Sequence, residues 1–409
     1  MEAPEPSNSR KYGVPFYAAA WVPSISLKSE QESLESEIDR DQSGDGDGDV
    51  SADDKTLPSH PTTAVNYYVA AAGGGGEGRS GISNALILAH FDFESRSLSD
   101  QPVAKYGTGS DLPYRMAVHP AGDGIICSFP KSCSLFKLDI KKDDGDQKLG
   151  LKLSQKVLSQ LDDVGLQLAL KFNNEGSLLA TGGEDGNLRV FKWPSLDIIL
   201  NEPNAHSTVK DLDFSPDGKY LVSLGGPCRV WDVTSSTVVT ALPKGNDEVF
   251  VSCRFSLANN GNMVLYTATV TGKGGAIVTW DATTWRRVAS KLITRDNITA
   301  FNVSANGKLL ACGTTQGDVL IINSTSMRVQ KIVKKAHIGF VTAMSFFHDS
   351  RALVSASMDS SVRVTLIEEE QKNGMNLWVI IFILLIAVAA YLIKNGKFDK
   401  FELPTFSSG

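Results

Sequence analysis

Val209-Lys-Asp-Leu-Asp-Phe214, Ser-Pro-Asp-Gly218, Lys-Tyr-Leu-Val-Ser223 and Cys228-Arg-Val-Trp231-Asp232 read as strand, turn, strand, strand. The unit before it has the same plan: Leu166-Gln-Leu-Ala-Leu-Lys-Phe172, Asn-Asn-Glu-Gly176, Ser-Leu-Leu-Ala-Thr181, Asp185-Gly186 and Leu188-Arg-Val-Phe-Lys-Trp193. Phe172 and Phe214 stand 42 residues apart. Strands joined by short Asp/Asn-Gly turns predict an all-β fold, and a period of about 40 residues predicts the blades of a WD-repeat propeller.

Working outward, further copies run from Ala300 to Ile322 and from Val341 to Leu366, with weaker ones from Pro113 to Leu138 and from Val249 to Asp281. Ala205-His206 and Ala336-His337 match the histidine near the start of such blades. Six copies fill about 111 to 367, and Tyr12 to Phe93 is expected to supply a seventh. Only Trp231-Asp232 and Trp280-Asp281 keep the Trp-Asp dipeptide, so the repeats are degenerate. The expected fold is an all-β, seven-bladed WD-repeat β-propeller over 1–27 and 65–370, followed by a single C-terminal transmembrane helix. Such a ring is a rigid platform whose working surfaces are loops on one face.

The span is expected at 377–393, Leu-Trp-Val-Ile-Ile-Phe-Ile-Leu-Leu-Ile-Ala-Val-Ala-Ala-Tyr-Leu-Ile, which carries no charge. As a helix it covers about 25 Å, with Trp378 and Tyr391 at interfacial depth near its ends. Its shortness suits the thinner bilayer of the endoplasmic reticulum. Lys394, Lys397 and Lys400 follow it, and Glu368-Glu369-Glu370 precede it, so the positive-inside rule alone would put the tail in the cytosol. A large domain with no apolar N-terminal stretch argues the opposite. The expectation is a cytosolic propeller and a lumenal tail at 394–409, leaving the sequons at Asn297, Asn302 and Asn323 unused.

Composition excludes several functions. Forty Lys and Arg against 46 Asp and Glu give a net charge of −6, which argues against nucleic acid as a partner. The five cysteines have no metal-knuckle spacing and read as reduced thiols, with Cys127, Cys253 and Cys312 as small strand residues. The six histidines form no metal spacing, and His206 and His337 read as structural blade residues. No nucleophile motif appears, so hydrolase or oxidoreductase chemistry is not expected. Residues 28–64 break the repeat pattern: eleven acids and one base, Arg40, lie between Glu30 and Asp54. Such a stretch reads as a solvated, disordered insert in the first blade. Asp41 to Asp49 resembles the start of a calcium loop, but Ala52 stands where the bidentate glutamate is needed.

The segment Gly73-Gly-Gly-Gly76-Glu-Gly78-Arg-Ser-Gly81-Ile82-Ser-Asn84 lies between two apolar β-type runs. Gly76 to Gly81 has the G-x-G-x-x-G spacing of a dinucleotide loop, but that motif needs a helix N-terminus after it, and Ile82 to Phe91 is β-prone. No Walker-type lysine follows the glycines. The loop then reads as an organised backbone surface or as a plain flexible hairpin tip. Consecutive glycines can point carbonyls at a cation or amides at an anion, Asn84 can add a side-chain oxygen, and Ile82 can present an apolar tip.

A degenerate propeller, a Gly-Gly-Gly-Gly…Gly-Ile-x-Asn loop in its first blade and a C-terminal span together resemble the Sec-twelve family. Lys11 to Pro15, Gly73 to Asn84, Ser110 to Met116 and Trp193-Pro194 are similar to its plant Sec-twelve-like branch, and within it to phosphate transporter traffic facilitators. The resemblance implies an endoplasmic reticulum membrane protein that promotes COPII-dependent exit of membrane cargo, with phosphate transporters as the cargo. It implies a Sar-type small GTPase as partner and, as the alternative function, active guanine nucleotide exchange on it. It also implies a potassium ion held in the loop lined by Gly73, Gly74, Gly75, Gly76 and Gly81, with Ile82 and Asn84 contacting the GTPase. Ser83 departs from the proline expected in many members. A WD-repeat scaffold without a trafficking role is the remaining alternative.

Overall fold

Alternation within the first blade shows how the ring is built. Along the strands Phe16–Val22, Tyr67–Gly73 and Asn84–Asp92, one face buries Phe16, Val69, Ala71, Ile87 and Phe91 against Val354 and Val364. The opposite face buries Ala18, Val22, Ala70, Leu86 and Leu88 against Ile125, Cys127 and Phe136. A strand covered on both faces reads as a continuous apolar run, which is why Ala70 to Ala72 and Ala85 to Ala89 lack polar alternation. The small alanines also let successive sheets approach closely.

The computed structural model describes residues 7–23, 66–78, 80–143, 146–258, 261–368 and 377–394. The chain divides into two units, Met1–Ile367 and Glu368–Gly409. The first unit contains seven antiparallel sheets, as expected. After the first blade, the innermost strands are Arg115–Val118, Gln167–Phe172, Asp211–Phe214, Val249–Leu257, Ile298–Val303 and Val341–Phe346, each opening a four-stranded sheet. The core is divided among the blade interfaces: each of seven apolar clusters joins two neighbouring sheets, including the last to the first. Repetition of this kind leaves only short, protected edges.

Two boundaries differ from the sequence expectation. The first blade does not end at Phe93 but takes in Ala104–Gly109, which pairs with Asn84–Asp92. Its half-exposed Ala-Lys-Tyr-Gly-Thr-Gly carries little β signal. The N-terminal strand Ser9–Lys11, which lies outside the blades expected at Tyr12 to Phe93 and Val341 to Leu366, joins the last of them. It pairs with Ser361–Leu366 as the outer strand of the last blade and so closes the ring.

The weak Trp-Asp signature corresponds to buried hubs. The Trp231 indole N–H donates to Ser223 Oγ at 2.8 Å, and the same hydroxyl lies 2.8 Å from His206 Nε2. Trp280 does the same on Thr267 Oγ1 at 3.0 Å. His337 lies between Ser361 Oγ at 2.6 Å and Ser355 Oγ at 2.7 Å. Both histidines are held neutral, pushed down to about 4. Burial is the main cause in both; Arg229 adds to it for His206, and for His337 the opposing Asp359 outweighs the contribution of Arg363. The unfolded chain, with histidines near their ordinary 6.5, takes up protons first. Stability present above pH 6.5 is therefore lost as pH falls toward 4. At about 1.4 kcal/mol per pH unit, His337 alone costs on the order of 2 kcal/mol at pH 5. Urea midpoints at pH 7.5 and 5.5 should fall accordingly, and His337→Gln should flatten that fall; equal slopes would show that His337 does not set it.

All five cysteines are buried and free. The second unit contains one helix, Leu377–Lys394, on which the apolar segment 377–393 falls. Its side chains are described at 381–391 and 394, and among the described residues no helix is long and apolar enough to cross a membrane. The acidic insert at 28–64 and the tail beyond Lys394 lie outside the described residues.

Candidate functional site

The glycine loop joins the second and third strands of the first blade. It starts where Gly73 pairs with Phe16 and with Ala85, so both neighbouring strands approach it. A Cβ on Gly73 would run into the carbonyl oxygen of Pro15, and the Gly74 N–H donates to that same oxygen at 3.0 Å. A Cβ on Gly74 would meet Asn84 Oδ1, and one on Gly75 would meet Ser80 Oγ. Gly76 and Gly81 have open space around them but φ of 78° and 72°, where an L side chain is strained. Of these five glycines, the first three are set by close approach and the other two by handedness.

Asn84 is the organising side chain. It is buried, and its Oδ1 accepts from the Gly76 N–H at 2.9 Å. Its Nδ2 donates to the Gly76 carbonyl at 3.2 Å and to the Gly109 carbonyl at 3.0 Å. One amide therefore closes the loop on itself and ties it to the outer strand of the blade. Ser80 Oγ accepts from the Ile82 N–H at 3.3 Å, turning the chain so that Ile82 is 41% exposed. The loop thus has an internal polar strut, Asn84, and an external apolar tip, Ile82. Pro15 and Gly109 act through their carbonyls. They carry no side-chain signal, and sequence reasoning missed both.

Among the described residues no group of three or more His, Cys, Asp or Glu side chains could hold a metal. The oxygens on offer in the loop are backbone carbonyls, the buried Asn84 amide, the Ser80 and Ser83 hydroxyls and one exposed carboxylate, Glu77. A single exposed carboxylate is fewer than calcium sites use, and the loop has no thiolate or imidazole for zinc.

The family model described as WD domain, G-beta repeat matches residues 162–192, 199–232 and 329–365, which lie in the third, fourth and sixth to seventh blades. The chain is 50% identical to SEC12-like protein 2 of Arabidopsis thaliana over 92% of either chain. It is 31% identical to SEC12-like protein 1 of the same plant, over 83% of this chain and 86% of that one. A guanine nucleotide-exchange factor SEC12 from Mus musculus is 25% identical over 80% of this chain and 92% of its own.

Proposed function

The chain belongs to the SEC12-like family, and from that membership we propose that it promotes exit of membrane cargo from the endoplasmic reticulum by engaging a Sar-type small GTPase through the loop from Gly73 to Asn84. The observation that carries this reading is the build of the loop: Asn84 holds it from inside while Ile82 stays outside. An exchange factor needs only a surface that binds the nucleotide-free GTPase better than the loaded one. It needs no nucleotide pocket of its own, in keeping with a β-strand where a phosphate loop would need a helix. In this reading 377–393 anchors the propeller to the membrane, the propeller is cytosolic, 394–409 is lumenal, and 28–64 is a solvated insert. The cargo is a phosphate transporter.

Potassium fits the same reading. Gly73 to Gly76 and Gly81 would offer backbone carbonyls, and Asn84 its Oδ1, which the Gly74 backbone approaches with no side chain between them. The ion would supply positive charge beside the loop's carbonyl dipoles. The chain's own residues set the turn and display Ile82.

Nucleotide release from purified Sar-type GTPase, with and without the full chain in liposomes and in potassium buffer, tests the proposal. Acceleration is expected. Ile82→Asp should reduce it more than tenfold and leave the urea midpoint unchanged. Equal acceleration by Ile82→Asp would remove Ile82 from the contact. A second reading, cargo exit without exchange, is favoured by the names of the relatives at 50% and 31% identity: both are called SEC12-like, and the named exchange factor stands at 25%. No acceleration, together with retained phosphate transporters in cells lacking the protein, would select it.

A further inference from the structure

The inner strands enclose a central channel with a cavity of about 160 Å³, lined by residues of all seven blades. Four bases lie on its wall or just below: Arg115, Lys171, Lys210 and Arg254. The two carboxylates among them are already engaged. Asp211 Oδ2 accepts from Arg254 Nη1 at 2.6 Å, from Ser252 Oγ at 2.5 Å and from the Cys253 N–H at 3.0 Å. Asp213 accepts from the Phe255 N–H at 2.8 Å and lies 3.4 Å from Lys171 Nζ. Thr299 and Thr342 turn their hydroxyls to the carbonyls of Val341 and Phe16, at 2.6 and 2.7 Å.

The remaining charge is positive. Arg115 donates from Nε to the Leu168 carbonyl at 3.0 Å and from Nη1 to the Tyr17 carbonyl at 3.0 Å, and its guanidinium lies 4.8 Å from the Tyr114 ring centre. A guanidinium has five N–H donors, so a fork is left over. Arg254 Nε is buried without a hydrogen-bond partner. Lys210 lines the cavity and makes no ion pair among the described residues. Like charges gathered around one small cavity repel one another unless an anion joins them, and salt screens half-buried Arg115 and Arg254 less than exposed Lys210. The volume is well below that of pockets for drug-sized ligands and holds only a few waters.

We propose that the central channel binds a small tetrahedral oxyanion, free orthophosphate or a phosphomonoester group, between Arg115, Lys210 and Arg254. The lining residues Tyr17, Arg115, Asp211, Thr299 and Thr342 stand at or near the starts of their strands, the end of the first blade from which the glycine loop also leaves. The Arg115 bond to Tyr17 reaches the residue after Phe16, which pairs with Gly73. Occupancy of the channel is thus linked by covalent chain and one register pair to the loop. The site itself stands whether or not the loop meets a GTPase.

Isothermal titration of the full chain in detergent, with orthophosphate and separately with O-phosphoserine at matched chloride ionic strength, tests this. Saturable binding of at least one is expected, weakened at least tenfold in Lys210→Gln and unchanged in Lys291→Gln on an outer strand. Lys210 is exposed and its substitution leaves the backbone bonds intact, so folding is preserved; an unchanged thermal midpoint without ligand checks this. Binding of orthophosphate alone assigns the free ion, and binding of O-phosphoserine alone assigns a phosphorylated group. Heats no larger than those of chloride, or equal affinity in Lys210→Gln, would overturn the site. Exchange activity is not part of the readout, so failure here leaves the GTPase reading untouched.

Discussion

Removal of residues 1–11 should lower the urea midpoint of the chain sharply and expose the last blade to proteolysis between 352 and 366. The strand Ser9–Lys11 is short, but it is held from two sides. It pairs with Ser361 to Arg363, and the Asn8 side chain and carbonyl both bond Val364, at 2.8 and 2.9 Å. Toward the first blade, the Leu98 N–H donates to the Ser7 carbonyl at 3.0 Å and Arg10 Nε meets Asp100 at 2.8 Å. Each net backbone bond contributes about 1 kcal/mol, while the Arg10 pair, with its exposed aspartate, adds little. The loss should reach roughly 4 kcal/mol, a large fraction of the stability of an ordinary domain. Truncation also leaves Ser361–Leu366 as an open edge, which favours association. An unchanged midpoint and a monomeric product would show that apolar packing between the last and first blades closes the ring alone.

Asn84→Ala should cost about 2–4 kcal/mol and abolish any activity of the loop. The substitution removes one side chain but leaves three backbone groups without partners: the Gly76 N–H, the Gly76 carbonyl and the Gly109 carbonyl. Gly76 is half-buried and Gly109 exposed, so each unpaired group costs toward the low end of about 1–3 kcal/mol. Asn84→Asp separates the roles of the amide. It keeps an acceptor for Gly76 N–H but sets a carboxylate against two carbonyls, so it should destabilise as much or more. Gly74→Ala tests the same contact from the other side, since its Cβ would meet Asn84 Oδ1 and its φ is 155°. Urea denaturation gives the stability, and GTPase capture on immobilised protein gives the surface. Wild-type capture by Asn84→Ala would mean that Ile82 alone makes the contact and the strut is dispensable.

The repeat was legible because each blade carries local signals. Asp-Gly or Asn-Gly turns, together with apolar strands at a fixed period, mark the third, fourth and sixth blades, the seventh keeps the strands with Asp-Ser turns, and the aligned weaker copies proved to be the second and fifth. What stayed hidden depends on pairing across long separations. Ser9-Arg-Lys11 has no β pattern, and its partner is at Ser361 to Arg363. Ala104–Gly109 contains two glycines and is recognisable only through its register with Asn84. The same register turns Asn84 inward, whereas a polar residue at the end of a glycine run reads as a ligand. In the sequence Arg115 is only part of a family-like stretch. Its reach to Tyr17 and Leu168, in the blades on either side, follows from closing the ring.

Pairing of the ninth residue with the 363rd also sets a timetable. Local hairpins form in microseconds, and each blade is largely its own hairpin set. The last blade is complete only when Ser9–Lys11 meets Ser361–Arg363, about 350 residues further along the chain. Such long-range contact slows folding, because loop closure comes before its reward. During synthesis at about 5–20 residues per second, six blades can assemble while Ser9–Lys11 waits unpaired. A chaperone that shields a lone edge for tens of seconds would therefore act on this one strand, and refolding should show its slowest phase in the amides of Ser361–Leu366.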